Sequence, residues 1–401
     1  MRILKVTQAY YPFLEKGGPT VKVRALARGL ANRGHQVTVL TADLGFGARP
    51  VPGGEARRTG RGWEARQDGV EAVYLPTRAR YRALTWNPGV FPFCRQRLSD
   101  FDLVHIYGLY DLLGPAVASS CHRLGLPYIV EPMGMFLPIV RSIRLKQIYH
   151  RLLGQKMLRG ARYLVATAEQ ECRELIGGGM PETKIVVRRN GIELPMQLPA
   201  AGTFRRQWKI PPEKKLVLFL GRLVSKKSPE LILQAFARWR REPGARRSAL
   251  LVVAGPAERN DYRKKLETFS TQLGLKNDVV FTGPLYDDAK WAAYRDADVF
   301  VLPSQNENFG NTAAEAVACG TPVLVTDRCG IAPLVDQRAG LVVPHDEAAL
   351  QEGLARLLEE DTLWRRLQAG CAEVTPALSW KEPLNEMEDL YRRLVAQVQP
   401  G

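Results

Sequence analysis

The sequence lacks long hydrophobic runs. It has 401 residues, of which 45% are hydrophobic and 24% are charged, and no apolar run approaches the roughly 20 residues of a membrane-spanning helix. A strand pattern without the features of a signal peptide opens the chain, MRILKVTQAYYP. We therefore expect a cytoplasmic protein, long enough for two domains with separate cores.

Patterns typical of metal and cofactor sites are also missing. The six cysteines never form CxxC, which favours free thiols in a reducing compartment. Two DxD tripeptides, Asp100–Asp102 and Asp296–Asp298, each precede an apolar strand, where turn and cap roles explain them better than metal binding. No GxGxxG follows the first strand, which argues against a nicotinamide or flavin dehydrogenase. We expect neither a metal nor a cofactor.

Positive charge is concentrated in the first half of the chain. The net charge is +16, and residues 1–200 hold 29 Lys and Arg against 15 Asp and Glu, whereas residues 201–401 hold 28 against 26. This asymmetry favours an anionic partner for the first half. Nucleic acid, a membrane surface and an anionic substrate all fit, as does a solvated basic face without a partner.

Short apolar strands alternate with helical patterns in both halves. This alternation predicts an α/β protein with two doubly wound parallel sheets and a ligand in the crevice between them. Residues 45–69 are rich in Gly and Arg and predict a long loop or small hairpin. Residues 193–214, rich in proline and turn formers, predict an interdomain linker. Residues 136–162 form a basic amphipathic segment, able either to lie on anionic lipid or to pack on its own sheet.

Two carboxylates flank a predicted loop-to-helix junction in the second half. Glu307 and Glu315 have seven residues between them, in ENFGNTAAEAVACGTPV, and the helix is predicted to start near Asn311. The first amides of that helix, at Gly310, Asn311 and Thr312, favour an anion. A phosphate site beside two carboxylates that can accept hydroxyl hydrogen bonds suits a nucleotide-sugar. The alternative is an ordinary strand–loop–helix with two surface acids.

Cations follow another strand of the same half, in LFLGRLVSKKSPE. Gly221 permits a tight turn, and Arg222, Lys226 and Lys227 come next. Arginine can bind two phosphate oxygens at once, whereas lysine supplies a point charge. This loop could therefore neutralise a diphosphate without a metal, although basic loops after strands are common.

The first half offers candidate acceptor contacts at strand ends, where open α/β sheets bind ligands. His105 and Tyr107 lie at the end of one predicted strand, and Met133 lies in the loop after the next. Glu131, just before that loop, is a candidate cap or acceptor contact. A structural role is the alternative for the histidine.

Five motifs spread over the whole chain resemble those of one family. They are Gly17–Gly18 with the later RGHQVTVLT, Asn190–Ile192, GRLVSKK from Gly221 to Lys227, ENFGNTAAEAVACGTPV from Glu307, and Ser379–Trp380. The set is similar to that of the retaining glycosyltransferases of family 4, which have the GT-B fold. The Glu-x7-Glu motif is the most specific of the five.

The resemblance implies two Rossmann-like domains facing across a cleft. Residues 1–195 would form the acceptor domain and residues 210–375 the donor domain, while residues 376–401 would form a helix that packs back on the N-terminal domain. The residues implied in donor binding are Gly17, Gly18, Gly221, Arg222, Lys227, Glu307, Phe309, Gly310, Asn311, Thr312 and Glu315.

The resemblance also implies roles for individual residues. Arg222 and Lys227 would bind the diphosphate, Glu315 the ribose and Glu307 the sugar hydroxyls, with Glu307, Arg222 and Lys227 as the catalytic set. The family often has His-x-His where this chain has His105-Ile106-Tyr107. Tyr107 cannot serve as an imidazole.

The sequence thus predicts a retaining, metal-independent glycosyltransferase. It would move a hexose from a UDP- or GDP-sugar to a glycan or lipid-linked acceptor. It could work in the cytoplasm or as a peripheral protein on the inner face of a membrane, without binding nucleic acid. The alternatives are a nucleotide-sugar epimerase or a phosphorylase on the same fold, and a non-enzymatic polyanion-binding protein.

Overall fold

The computed structural model describes residues 1–13, 18–44, 55–81, 84–137, 143–242, 248–257 and 260–397. The chain divides into two compact units. The first contains Met1–Gly191 with Trp380–Gly401, and the second contains Ile192–Ser379. Both are α/β, with mostly parallel sheets, as the sequence predicted.

The first unit is built on a twisted sheet with helices on both faces. Its strands are β1 (Arg2–Val6), β2 (Gln36–Ala42), β3 (Glu55–Thr59), β4 (Gly62–Gln67), β5 (Val70–Leu75), β6 (Ala79–Tyr81), β7 (Leu84–Trp86), β8 (Leu103–Tyr107), β9 (Tyr128–Glu131), β10 (Tyr163–Ala166) and β11 (Ile185–Val187). Its helices before the second unit are α1 (Gly18–Asn32), α2 (Val90–Arg97), α3 (Leu113–Leu124), α4 (Ile143–Tyr149), α5 (Gln155–Gly160) and α6 (Glu169–Gly177). A π-helical turn, His150–Gly154, joins α4 to α5.

Among the described residues, nine strands form the main sheet in the order β11-β10-β9-β8-β1-β2-β5-β4-β3. The central strands are mostly apolar because both of their faces are covered, and their few polar side chains, such as Lys5 and His105, are buried. At one edge β3 and β4 pair antiparallel, starting at Glu55. For residues 45–69 we expected either a long loop or a small hairpin, and the hairpin is present. Residues 45–54 lie outside the described part.

The second unit has a six-stranded parallel sheet, counted over its described residues, in the order β14-β13-β12-β15-β16-β17. Its strands are β12 (Lys215–Leu220), β13 (Ala249–Ala254), β14 (Val279–Gly283), β15 (Val299–Leu302), β16 (Val323–Thr326) and β17 (Gly340–Val343). Its helices are α7 (Thr203–Gln207), α8 (Pro229–Arg241), α9 (Asn260–Gln272), α10 (Asp287–Asp296), α11 (Asn311–Ala318), α12 (Ala332–Val335), α13 (Glu347–Glu359) and α14 (Asp361–Val374).

The segment predicted as a linker belongs to the core of the second unit. Helix α7 lies within residues 193–214, and Phe204 and Ile210 are buried in the main apolar cluster of this unit. Asp296 fixes the segment by accepting hydrogen bonds from the backbone amides of Gly202 at 2.6 Å and Arg205 at 3.0 Å. The linker interpretation was therefore wrong for most of this segment.

The last helix, α15 (Lys381–Ala396), packs in the first unit. It lies against α1, where a Cβ on Gly29 would come within 2.5 Å of the side chain of Leu384. Arg33 at the end of α1 pairs with Glu388 of α15 at 2.9 Å. Within the described part of the chain, no helix has the length and apolar character needed to span a membrane.

Candidate active site

The predicted donor residues of the second unit lie around the point where the strand order of its sheet reverses. Strands β12 and β15 are neighbours, and the chain leaves them toward opposite edges. Open α/β sheets bind ligands in the crevice at such a point, beyond the carboxyl ends of the strands. The loops that follow the two strands are joined there by a hydrogen bond from the amide of Gln305 to the carbonyl of Lys226, at 2.9 Å.

The loop after β12 depends on two glycines that touch. Gly255, at the end of β13, has a φ of +142°, and a Cβ there would lie 1.8 Å from the carbonyl oxygen of Gly221. Only glycine permits this approach. The loop then presents Arg222, which is exposed, and a short 3-10 turn that carries Lys227.

Glu307 is held by its backbone on the loop after β15. Its amide donates to the carbonyl of Arg328 at 2.9 Å, and its own carbonyl accepts from the amide of Gly330 at 3.0 Å. Its carboxylate forms an ion pair with the ammonium group of Lys227. The two side chains are 18% and 15% exposed, so the pair is only partly shielded from solvent. The predicted sugar-binding and diphosphate-binding residues are thus direct neighbours.

Helix α11 begins immediately after this loop. Gly310 precedes it in the left-handed conformation, with φ of +102°, and the Phe309 side chain is buried beneath the turn. Asn311 and Thr312 occupy the first turn, as predicted, where backbone amides and the helix dipole favour an anion.

Glu315, one turn further along α11, is bound by two side chains of α10. Its Oε1 accepts from Nζ of Lys290 at 2.8 Å, and its Oε2 accepts from the hydroxyl of Tyr294 at 2.9 Å. Burial, together with the Glu315 charge, raises the pKa of Tyr294 well above its usual value, so the hydroxyl stays protonated as a donor. Lys290 and Tyr294 were not identified from the sequence as partners of Glu315. Their spacing of four residues, which places both on one helix face, was the only indication in the sequence that they could act together.

The predicted acceptor residues His105 and Tyr107 lie inside the first unit. Both are at most 1% exposed. Nδ1 of His105 lies 2.6 Å from the hydroxyl of Tyr391 on α15 and 2.9 Å from that of Tyr107, and Lys5 donates to the Tyr107 hydroxyl at 2.6 Å. Burial, with the nearby charges of Lys5 and Arg188, lowers the pKa of His105 well below its usual value. The structure therefore corrects the acceptor assignment, because these buried side chains serve the packing of α15.

Glu131 is also internal and does not offer an acceptor contact. Its carboxylate pairs with Lys22 of α1 and with Arg188, both at 2.6 Å, and all three side chains are nearly or fully buried. Burial alone would raise the pKa of Glu131, but the charges of Arg188 and Lys22 outweigh it and hold the pKa below its usual value. The group is a buried ion network that joins α1 to the ends of β9 and β11.

The remaining predicted residues have other placements. Met133 follows β9 in a loop with a φ of +56° and is partly exposed. Gly18 is the first residue of α1 and is exposed, whereas Gly17 lies outside the described residues. Asp102 accepts hydrogen bonds from the backbone amide and guanidinium of Arg2. Asp298 pairs with Arg205 at 2.8 Å, so both of these aspartates have structural partners.

Family models identify the class of protein that this fold and site define. Residues 17–191 match the glycosyl transferase 4-like domain, and residues 201–372 match the glycosyl transferases group 1. A D-inositol 3-phosphate glycosyltransferase from Thermomonospora curvata is 30% identical over 406 aligned positions, which cover 94% of this chain and 90% of the relative. The chain belongs to the family 4 glycosyltransferases of GT-B fold. This confirms the predicted enzyme class and excludes the non-enzymatic alternative.

Solved structures agree at the level of fold. A sucrose-phosphate synthase from Thermosynechococcus elongatus superposes with a TM-score of 0.75 at 22% identity, over 99% of both chains. Anabaena HepE in complex with UDP-glucose superposes with a TM-score of 0.74 at 17% identity, over 98% of this chain and 100% of that one.

Proposed function

We propose that the protein is a retaining, metal-independent hexosyltransferase that takes a hexose from a UDP- or GDP-sugar and transfers it to a glycan or lipid-linked acceptor. The observation that carries this proposal is the group of Arg222, the Lys227–Glu307 pair and the α11 start, all at the switch point of the second sheet. Cations and helix amides suit a diphosphate, and a carboxylate beside them suits sugar hydroxyls.

Catalysis by this site would rest on stabilising the leaving group. As the bond between the anomeric carbon and the β-phosphate oxygen breaks, negative charge grows on the departing diphosphate. Arg222, Lys227 and the first amides of α11 can donate hydrogen bonds to that charge, so they would stabilise the transition state without a metal. In front-face attack, the acceptor oxygen bonds to the same face of the anomeric carbon and its proton passes to the leaving phosphate oxygen. The configuration is then retained.

Glu307 would hold the donor sugar while the ammonium group of Lys227, which has three N–H donors, contacts both Glu307 and the phosphate. The carboxylate has two oxygens and about four acceptor sites, so it can keep Lys227 and still accept from sugar hydroxyls. A fixed sugar brings the anomeric carbon into line with the attacking oxygen, which lowers the entropy cost of the reaction. Nothing in this role requires Glu307 to exchange a proton.

An anionic acceptor fits the positive charge of the first half of the chain. The relative described above is named for D-inositol 3-phosphate, a phosphorylated compound. A glycan attached to a lipid diphosphate has the same chemical feature. We therefore place the acceptor among phosphorylated or lipid-linked compounds, contacted by exposed groups of the first unit and not by His105 or Tyr107.

Peripheral binding to an anionic membrane is part of this proposal. On α4 and the π-turn, Leu145, Ile148 and Leu152 are 49%, 56% and 67% exposed. Their spacing of three and four residues gives one apolar stripe, and Arg144 and Arg151 beside it are exposed. An exposed apolar stripe with flanking arginines suits the boundary between anionic headgroups and acyl chains. Residues 138–142 of the predicted amphipathic segment lie outside the described part.

The donor test combines binding with transfer. Thermal-shift screening against UDP-, GDP- and ADP-sugars should show one stabilising base, because a ligand raises apparent stability by mass action. With that donor and a phosphorylated acceptor library, Glu307→Gln should lower kcat by about 100-fold or more while keeping the wild-type melting temperature. Normal turnover of the variant would contradict the assignment of Glu307. Inversion at the anomeric carbon, read by NMR of the product, would contradict the retaining mechanism.

The membrane test uses vesicles with and without anionic lipid. Wild-type protein should sediment with phosphatidylglycerol-containing vesicles at low salt, and the double change Ile148→Glu with Leu152→Glu should abolish sedimentation. Leu124→Glu is the matched control, since Leu124 is 56% exposed at the end of α3. Equal sedimentation of all three proteins would refute the membrane contact.

A further inference from the structure

The donor site contains a cation that the motif does not include. Lys290 lies on α10, outside both loops at the switch point, and its ammonium group contacts the carboxylate of Glu315 at 2.8 Å. The lysine side chain is 23% exposed and the glutamate 17%, so the pair lies at a partly open surface. The stem of Lys290 also brings Nζ to 4.2 Å from the ring centroid of Trp291.

We propose that Lys290 is a positioning and specificity residue for the donor nucleotide, acting through Glu315. This inference rests on the proposed function, in which Glu315 binds the ribose. Lys290 and Tyr294 each bind a different oxygen of the carboxylate, so its plane is fixed at two points. Each oxygen keeps about one further acceptor site. Those two sites suit the vicinal 2′- and 3′-hydroxyls of a ribose.

Tyr294 alone would not fix the carboxylate in this way. Its ring is fully buried, and its hydroxyl contacts Oε2 only. Without Lys290 the carboxylate can rotate about that one hydrogen bond, and its second oxygen loses the partner that sets its direction. The two ribose hydroxyls then bind a carboxylate whose orientation must be fixed on binding. The entropy cost of fixing it weakens the binding.

Lys290 also changes the charge that an anionic donor meets. The diphosphate of the donor is a dianion, and an uncompensated Glu315 would repel it. A cation 2.8 Å from the carboxylate offsets that charge. Lys290 therefore favours nucleotide binding in two ways. It orders the carboxylate that accepts hydrogen bonds from the ribose, and it offsets a repulsive charge.

The test compares a nucleoside diphosphate with its 2′-deoxy form by calorimetry. Both nucleotides carry the base that stabilises the wild-type protein in the thermal-shift screen. The proteins are the wild type, Lys290→Met, Lys290→Arg and Glu315→Gln, with Lys264→Met as control, since Lys264 is an exposed lysine on α9. We expect wild type to prefer the ribonucleotide by about 10-fold, and Lys290→Met to reduce that preference to about 2-fold or less. Lys290→Arg should retain most of the preference, and the control should match wild type.

The remaining readouts separate this inference from the proposed function. Lys290→Met should raise the donor KM by about 10-fold with kcat changed less than 3-fold, because the residue acts on the nucleotide and not on the transferred sugar. A full ribose preference in Lys290→Met together with its loss in Glu315→Gln would overturn the role of Lys290 and leave the proposed function intact. A wild-type protein that binds no nucleoside diphosphate would overturn both.

Discussion

Lys5 offers a test of how the first unit is held together. It lies on β1 with no exposed surface, and its ammonium group donates to the hydroxyls of Tyr107 at 2.6 Å and Tyr391 at 3.2 Å. Burial lowers the pKa of Lys5 from 10.5 to about 7, although the charge of Glu131 opposes the shift. A shift of that size corresponds to about 5 kcal/mol of lost stability when the lysine must be protonated in the folded state.

The sign of the resulting pH dependence follows from proton binding. Between pH 7 and 10.5 the unfolded chain keeps the Lys5 proton and the folded protein releases it, so the free energy of unfolding rises with pH. The loss of stability caused by protonated Lys5 is complete only well below pH 7. Raising the pH from 7 to 9.5 should restore about 3 kcal/mol of stability. The rest is not restored at pH 9.5, because Lys5 in the unfolded chain still holds most of its proton there.

Lys5→Met should abolish this rise, because methionine is similar in length and carries no charge. We expect the variant to be more stable than wild type at pH 7 by up to about 2 to 3 kcal/mol, after about 1 kcal/mol is lost with each tyrosine hydrogen bond. The assay is urea unfolding at pH 7 and 9.5. Unfolding of the first unit is followed by limited proteolysis at each urea concentration, and its fragments are identified by mass spectrometry. Lys156→Met, at an exposed site on α5, is the control. An equal pH dependence in wild type and Lys5→Met would refute the reasoning.

Two further substitutions test other contacts. Gly255→Ala should destabilise the second unit by about 2 kcal/mol or more and raise the Kd for the nucleotide at least 10-fold, because its Cβ would strike the carbonyl of Gly221; thermal melting and calorimetry measure the two effects. Glu131→Gln should cost about 3 to 5 kcal/mol in urea unfolding, since Lys22 and Arg188 would lose their buried carboxylate. Stability within 1 kcal/mol of wild type would show that the network is not needed.

The strands and the donor loops could be predicted because their signals are local. Apolar runs such as Val299–Leu302 become strands that are buried on both faces, and glycines mark the loops that follow them. The sequence therefore located Glu307 and Lys227 at strand ends. Neighbouring strands then brought the two side chains together.

Other features could not be predicted because their partners are distant in the chain. His105 lies at a strand end, where ligands are usual, but its side chain faces Tyr391 of α15, which is 286 residues later. The sequence predicts that the last helix packs on the first half, yet not which strand residues it covers. Phe204 and Ile210 similarly lie in a proline-rich segment whose composition is that of a linker, and only the packing of α7 shows them to be core.

The two carboxylates of the Glu-x7-Glu motif raise an electrostatic problem that the fold resolves. In the proposed donor site, two bare carboxylates beside the dianionic diphosphate would oppose its binding. Here Glu307 pairs with Lys227 from the loop after β12, and Glu315 pairs with Lys290 from α10. Each carboxylate is thus offset before the donor arrives, and Arg222 and the α11 dipole remain to attract it. Because these side chains are partly exposed, added salt should weaken donor binding in wild type, and it should weaken it less in Lys290→Met, where one attractive charge is already gone.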